Sequence, residues 1–151
     1  MAQKNRMDFG AEISRLLPFM LREVARRQKG AMTKENMTVS DIVMLEILEE
    51  KGSPTMGTLA RDLGLTMSAA TSIVDKMIEK GMVKRERSLE DRRVVRVSLL
   101  KKGEDTVRSI KVERKGMTDQ MFKALTEEEK AEYLRLFSKI VGSIGSEGSN
   151  T

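Results

Sequence analysis

Apolar residues recur three or four positions apart over most of the chain, which is the spacing of one buried face of an α-helix. The first stripe lies between Asp8 and about Lys29 and consists of Ile13, Leu17, Met20, Leu21 and Val24. Pro18 interrupts it and lacks a backbone donor, so we expect either a kink there or a helix that begins near Leu17. The polar stretch from Gly30 to Met37 then breaks the pattern.

A second stripe follows a capping signal. Thr38 and Asp41 resemble a capping box, in which two side chains satisfy the first free N–H groups of a helix. Ile42, Leu45 and Leu48 then lie three residues apart, and Gly52 with Pro54 ends the pattern. We therefore predict a helix that begins near Thr38 and ends at Gly52.

Two short helices joined by a glycine turn follow. The first runs from about Thr55 to Leu63, and Gly64 ends it because glycine adopts a left-handed conformation at little cost. Thr66 is placed to cap the second helix, which Gly81 ends. In that second helix Ala70, Val74 and Met77 share one face, while the opposite face carries Ser68, Thr71, Ser72, Asp75 and Lys76.

Alternating residues beyond Gly81 predict a two-stranded ribbon. Val83, Val95, Val97 and Leu99 suit one apolar face, and the turn between the strands spans residues 88–93. Two helices with a tight turn and a ribbon make a helix-turn-helix with a wing. The fold class is therefore mainly α, with a small β-hairpin wing and helices on either side.

Two further helices are predicted after the ribbon. The first runs from Lys101 to about Leu125 with Val107, Ile110, Met117 and Met121 as its apolar stripe. A capping box over residues 126–129 opens the last helix, and the Gly/Ser-rich stretch from Gly142 onward predicts a frayed end.

The chain of residues 1–151 is expected to be a single unit with three parts. The winged helix-turn-helix needs only residues 38–100, about one small domain. The helices over 8–30 and 101–145 carry apolar stripes without an obvious partner inside so small a unit. We therefore expect these flanking helices to join two copies across a two-fold axis, the alternative being that both ends fold back on a monomeric core.

The positive charge is concentrated in the predicted helix-turn-helix and wing. From Thr66 to Lys102 the chain carries ten Lys or Arg and five Asp or Glu. The remaining residues carry eighteen of each, so the whole formal excess of +5 lies in this segment. A localised basic surface is typical of a phosphate-binding face, whereas a plain solvated surface is the alternative interpretation.

Composition argues against an enzyme and against a secreted or membrane protein. The chain contains no Cys and no His, which removes disulfides, thiol switches, the commonest metal ligand and the usual general base. No apolar run approaches the ~20 residues of a membrane span, and no signal peptide opens the chain. We expect a cytoplasmic protein with no cofactor and no metal.

Several short motifs resemble the MarR family of winged-helix regulators (multiple antibiotic resistance regulators). They are Leu59-Ala60, Gly64-Leu65-Thr66, Asp75-Lys76-Met77, Gly81-Met82-Val83 and the wing motif Asp91-Arg92-Arg93. The family often has a Thr that caps the helix after the wing, but Leu100 stands at that position here. The resemblance implies a homodimer that binds double-stranded DNA, and a wing arginine that enters the minor groove. It also implies a regulator, usually a repressor, that a small molecule releases.

Candidate DNA-binding residues lie in the second short helix and in the ribbon. Ser68, Thr71 and Ser72 are placed to meet base edges in the first turns of a recognition helix. The candidate phosphate and minor-groove contacts are Lys76, Arg85, Arg87, Arg92 and Arg93, with Asp91 as an anchor that holds a neighbouring arginine. A second hypothesis treats the winged helix as a protein-interaction module whose basic face binds an acidic partner.

Overall fold

The computed structural model describes residues 7–34, 36–88, 91 and 93–147. Its elements are α1 (Phe9–Lys34), α2 (Val39–Lys51), α3 (Met56–Asp62), α4 (Met67–Glu79), β1 (Val83–Arg87), β2 (Val95–Leu99), α5 (Lys101–Met121) and α6 (Glu127–Glu147). The chain forms two compact units, Met1–Glu113 and Arg114–Thr151. No described helix combines the length and the apolar character that a membrane span requires.

Helix α1 is longer than the sequence indicated. It begins at Phe9, where the Asp8 carboxylate accepts the Ala11 N–H at 3.0 Å, so the start expected near Asp8 is confirmed and the alternative start near Leu17 is wrong. It contains Pro18 and continues to Lys34, beyond the break expected at Gly30. A glycine inside a helix costs only about 1 kcal/mol relative to alanine, which does not suffice to end a long helix.

Side-chain caps begin the three helices of the winged region, as predicted. The Thr38 hydroxyl accepts the Asp41 N–H at 3.3 Å, and the Asp41 carboxylate accepts the Thr38 N–H at 2.6 Å. The hydroxyls of Thr55 and Thr66 each accept the N–H three residues ahead, at 3.1 and 3.2 Å. Gly64 has φ +64°, so the turn between α3 and α4 has the left-handed conformation expected of it.

The core of the first unit is aliphatic and rich in methionine. Its fully buried side chains include Met44, Leu45, Leu48, Leu59, Val74, Met77, Met82, Val83, Val97 and Val107. The predicted inward residues of α4 are all buried, which confirms the orientation of that helix. Methionine fills irregular gaps, so it packs a core in which the described residues include no aromatic side chain.

The ribbon is antiparallel, with Val83 opposite Leu99 and Arg87 opposite Val95. Thr55 adds an isolated bridge to Arg96, and the Val97 N–H donates to the Pro54 carbonyl at 3.0 Å, so the start of α3 is attached to β2.

The first turn of α5 packs tightly against the root of β1. The Leu100 N–H donates to the Met82 carbonyl at 2.8 Å. A Cβ built on Gly103 would lie 2.2 Å from that same carbonyl oxygen, so only glycine fits there. The helix begins at Lys101, so the missing family Thr at Leu100 does not displace its start.

The second unit is organised around three aromatic residues. The rings of Phe122 and Tyr133 are 4.9 Å apart, and those of Tyr133 and Phe137 are 5.7 Å apart and stacked. The predicted capping box of α6 is present, since Thr126 and Glu129 exchange hydrogen bonds of 2.8 and 3.2 Å. The helix continues to Glu147, five residues beyond the Gly142 at which the sequence predicts fraying to begin.

Candidate nucleic-acid interface

The outer face of α4 presents small hydroxyl groups near its N-terminus. Ser68 and Ser72 are exposed, and the Ser72 hydroxyl donates to the Ser68 carbonyl at 3.2 Å. Thr71 is half-buried and lies beside the ribbon. Because Ala70, Val74 and Met77 fix the opposite face in the core, this hydroxyl-bearing face is directed outward.

The register of the ribbon divides its charged side chains between two faces. Side chains alternate along a strand, so Arg85 and Arg87 share the face of their partners Val97 and Val95. On the other face Lys84 pairs with Glu86 at 2.9 Å, which offsets its charge. Two predicted DNA contacts therefore lie together on the same side of the wing.

An ion pair joins this face of the ribbon to the recognition helix. The Arg85 guanidinium donates to the Asp75 carboxylate, with an Nη2–Oδ1 distance of 2.6 Å. Arg85 is in β1 and Asp75 is in α4, so the pair connects the strand to the helix directly. Arginine is suited to this role because its planar donors leave further N–H groups available after one carboxylate contact.

A cleft of about 440 Å³ separates the recognition helix from the wing. Its polar side chains belong to Arg85, Arg93, Thr55 and Thr71, and the rest of its lining consists of Met56, Gly57, Met67, Val94 and Val95. The cleft is thus a mostly apolar notch with two arginines and two threonines at its wall.

The described part of the wing turn is held by its main chain and by Asp91. The Asp91 carboxylate accepts the Arg93 backbone N–H at 2.9 Å, a typical turn-forming bond. The Val94 N–H donates to the Asp91 carbonyl, and the Ser88 N–H donates to the Val94 carbonyl. Arg92, the other predicted minor-groove residue, lies outside the described residues.

Lys76 contacts a buried carboxylate. Its Nζ lies 2.5 Å from Oδ2 of Asp41, whose side chain is only 1% exposed, whereas the Lys76 side chain is 36% exposed. Burial on its own raises the pKa of Asp41, but the bonds from Lys76 and Thr38 outweigh it and hold that pKa below its ordinary value. The pair joins α4 to the first turn of α2.

Two wing arginines remain available for an external anion. Among the residues that the structure describes, no carboxylate contacts the guanidinium of Arg87 or Arg93, and both side chains are exposed. By contrast, Arg96 donates to the Ser53 carbonyl at 2.9 Å, and Lys80 donates to the Asn36 carbonyl at 3.3 Å. The unpaired cations thus lie toward the tip of the wing.

The sequence pattern predicts the outward residues of α4. It does not predict that the Asp75 carboxylate binds Arg85 or that the Asp41 carboxylate binds Lys76. Asp75 and Arg85 are ten residues apart, and Asp41 and Lys76 are 35 apart. Neither separation matches a helix or strand period, so no local pattern indicated these pairs. Asp75 was only recognised as a member of the outward face.

Comparison with known proteins identifies the family. The MarR family model matches residues 37–95. The HTH-type transcriptional regulator YwhA of Bacillus subtilis is 30% identical over 97 residues, which cover 64% of this chain and 70% of YwhA. The chain belongs to the MarR family. It is a transcriptional regulator of the helix-turn-helix type.

Two further proteins match most of the chain. The HTH-type transcriptional repressor MdtR of Bacillus subtilis is 24% identical over 86% of this chain and 84% of MdtR. The structure of Streptococcus pneumoniae FabT in complex with DNA superposes with a TM-score of 0.80 at 20% identity, covering 92% of this chain and 99% of FabT. The fold class predicted from the sequence, a winged helix-turn-helix with flanking helices, is confirmed.

Proposed function

We propose that this MarR-family chain is a repressor that binds a pseudo-palindromic DNA operator as a homodimer and is released by a small-molecule effector. The observation that carries the proposal is the pairing of a hydroxyl-bearing recognition helix with a basic ribbon face across one cleft. Hydroxyl groups read base edges, whereas arginines bind phosphates or a narrow minor groove.

The roles of individual residues follow from their positions. Ser68, Thr71 and Ser72 are proposed to meet base edges, since the N-terminal turns of such a helix enter the major groove. Arg85, Arg87 and Arg93 are proposed to contact the backbone or the minor groove, together with Arg92 from the sequence motif. Lys76 adds a partly exposed cation to the same helix, and Asp91 is proposed to fix the wing turn.

Exposed apolar side chains support a dimer. On α1 the residues Phe9, Ile13, Leu17 and Met20 lie along one stripe and are 40–66% exposed. On α6 the exposed side chains include Leu134, Phe137, Ile140, Val141 and Ile144. Large apolar side chains that are exposed in such numbers along one helix mark association sites. A two-fold dimer places two recognition helices on one DNA duplex.

Repression and DNA binding are supported by likeness to two of these proteins, whereas release by an effector rests on the family resemblance of the sequence. MdtR is named a repressor and matches most of this chain, and the FabT structure holds DNA. The absence of Cys and His argues against thiol oxidation and against a His-ligated zinc ion as the signal for release.

Selection of bound fragments from a random duplex pool, followed by footprinting, tests the proposal. We expect one pseudo-palindrome whose half-sites lie about 10 bp apart, centre to centre. At physiological salt the selected duplex should bind at least about 10³-fold more tightly than random DNA. A single asymmetric half-site at saturation would contradict a dimeric repressor.

Two alanine variants separate a DNA-binding face from a general basic surface. Arg87→Ala should weaken binding to every duplex and make the salt slope shallower by about one unit. Lys84→Ala, on the opposite face of the ribbon, serves as the matched control and should leave the slope unchanged. Equal effects of both variants, with no preferred duplex, would favour an acidic protein as the partner.

A further inference from the structure

Asp75 places a negative charge on the face that is proposed to meet DNA. Its side chain is 53% exposed, and it lies on the same outward face of α4 as Ser68, Thr71 and Ser72. A carboxylate near phosphates is repulsive, so simple electrostatics favours its removal from such a surface. Some other interaction must therefore compensate for its presence if this face binds DNA.

Stabilisation of the fold does not supply that compensation. The partner of Asp75 is Arg85, whose side chain is 32% exposed. Ion pairs with this much solvent access contribute little to folding, because water screens the charges and two long side chains lose freedom. The pair does, however, fix a direction, since Arg85 is held at one Nη atom by a bond of 2.6 Å.

The arginine that Asp75 holds also borders the cleft between α4 and the wing. Arg85 lines this cleft together with Thr71 and Arg93. One guanidinium N–H goes to Asp75, which leaves other donors of the same planar group for an anion. A phosphate in the mouth of the cleft would meet Arg85 in an orientation that Asp75 has already selected, and charge-assisted bonds of this kind depend strongly on orientation.

We propose that Asp75 is a positioning residue for DNA binding: it aims the Arg85 guanidinium into the cleft between recognition helix and wing, where that group binds a backbone phosphate. This inference rests on the proposed DNA-binding function and deepens it. According to this inference Asp75 raises the affinity for DNA, although its negative charge on its own would lower that affinity.

The test compares Asp75→Ala with Asp75→Asn on the selected duplex and on random DNA. Alanine removes the acceptor, so we expect affinity for both duplexes to fall about three- to tenfold, the loss expected for one oriented hydrogen bond. The salt slope should become shallower as the Arg85 contact weakens. Asparagine keeps an acceptor oxygen without the charge, so it should bind within about twofold of the wild type.

Glu79→Ala provides a matched control on the same helix. Glu79 is an exposed carboxylate one turn beyond Asp75 and has no partner among the described residues. Removing it should leave DNA affinity unchanged or slightly tighter. Repeating Asp75→Ala in an Arg85→Ala background should have no weakening effect, because the group to be positioned is gone.

The outcomes separate the inference from the proposed function. A wild type that prefers no duplex over random DNA refutes both. If the wild type has a clear operator, two results refute the inference alone. In one, Asp75→Ala binds the operator as tightly as the wild type or more tightly. In the other, Asp75→Ala weakens binding by the same factor in the Arg85→Ala background as in the wild type. If Asp75→Ala does not give the wild-type circular dichroism spectrum, Asp75→Asn alone decides. Binding by Asp75→Asn that is threefold or more tighter than that of the wild type would show that Asp75 merely repels phosphate, and would refute the inference.

Discussion

Replacing Lys76 by methionine tests the buried ion pair that joins α4 to α2. Methionine keeps the apolar stem of lysine and removes the ammonium, so the Asp41 carboxylate loses its partner at 2.5 Å. Breaking a buried pair from one side costs about 3–5 kcal/mol. Because the Lys76 side chain is 36% exposed, water can solvate Asp41 in part where the ammonium was. We therefore expect a smaller loss, about 2–3 kcal/mol in the free energy of unfolding.

The assay is urea unfolding followed by circular dichroism at one fixed protomer concentration, since dimerisation also shifts apparent stability. The expected loss corresponds to about 4–12 °C in melting temperature for a chain of this size. Lys84→Met is the matched control, because Lys84 pairs with Glu86 on the surface. That control should change stability by less than about 1 kcal/mol.

A second substitution shows whether the loss of stability in Lys76→Met comes from the unpaired charge of the buried Asp41 carboxylate. Asp41→Asn keeps an oxygen that accepts the Thr38 N–H but removes the buried charge. Added to Lys76→Met, it should therefore recover about 1–2 kcal/mol, since the uncompensated carboxylate is gone. A double variant no more stable than Lys76→Met alone would refute the reasoning.

The same pair predicts a pH dependence. The pKa of Asp41 is lower in the folded protein than its ordinary value, so its contribution is present at neutral pH and lost as the pH falls through the folded pKa. Without Lys76 the pKa of Asp41 rises relative to the wild type. The stability gap between the wild type and Lys76→Met should thus narrow as the pH falls from the Asp41 pKa of the variant to the lower Asp41 pKa of the wild type.

Three further predictions concern the recognition helix, the wing and the root of the wing. Gly103→Ala should lower the free energy of unfolding by about 1–3 kcal/mol in a thermal melt, because its Cβ would lie 2.2 Å from the Met82 carbonyl oxygen. The control is Gly116→Ala in the same helix, whose Cβ would meet nothing within 4 Å, so it should be neutral or stabilising. Thr71→Ala should narrow the affinity gap between operator and random DNA, and an equal loss for both would make it a phosphate contact instead. Asp91→Ala should weaken DNA binding despite removing a negative charge, because the bond to the Arg93 N–H is lost; tighter binding with an intact fold would contradict the anchoring role.

Local chemistry accounts for what the sequence predicted. Thr55 and Thr66 cap helices through residues three positions away, and Gly64 ends a helix by its own conformation, so each signal is complete within one turn. The inward face of α4 was equally accessible, because its apolar spacing repeats within the helix. The ends of helices were harder to predict where glycine and polar residues were the only signal, as at Gly30 in α1 and Gly142 in α6.

Contacts between distant segments account for what the sequence missed. The bonds from Lys76 to Asp41 and from Arg85 to Asp75 depend on how α2, α4 and β1 pack. The need for glycine at position 103 likewise arises from a carbonyl contributed by another element. The residue types of the candidate interface could therefore be predicted, but the carboxylates that orient its cations could not.

The aromatic cluster of the second unit gives the protein a built-in optical reporter. The chain contains one Tyr and no Trp, and that tyrosine, Tyr133, lies between Phe122 and Phe137. Intrinsic fluorescence excited near the tyrosine band therefore senses only the surroundings of α6, whereas the helical signal in circular dichroism sums over the whole chain. Melting curves recorded by the two methods will coincide if both units unfold together and diverge if the C-terminal helices separate first.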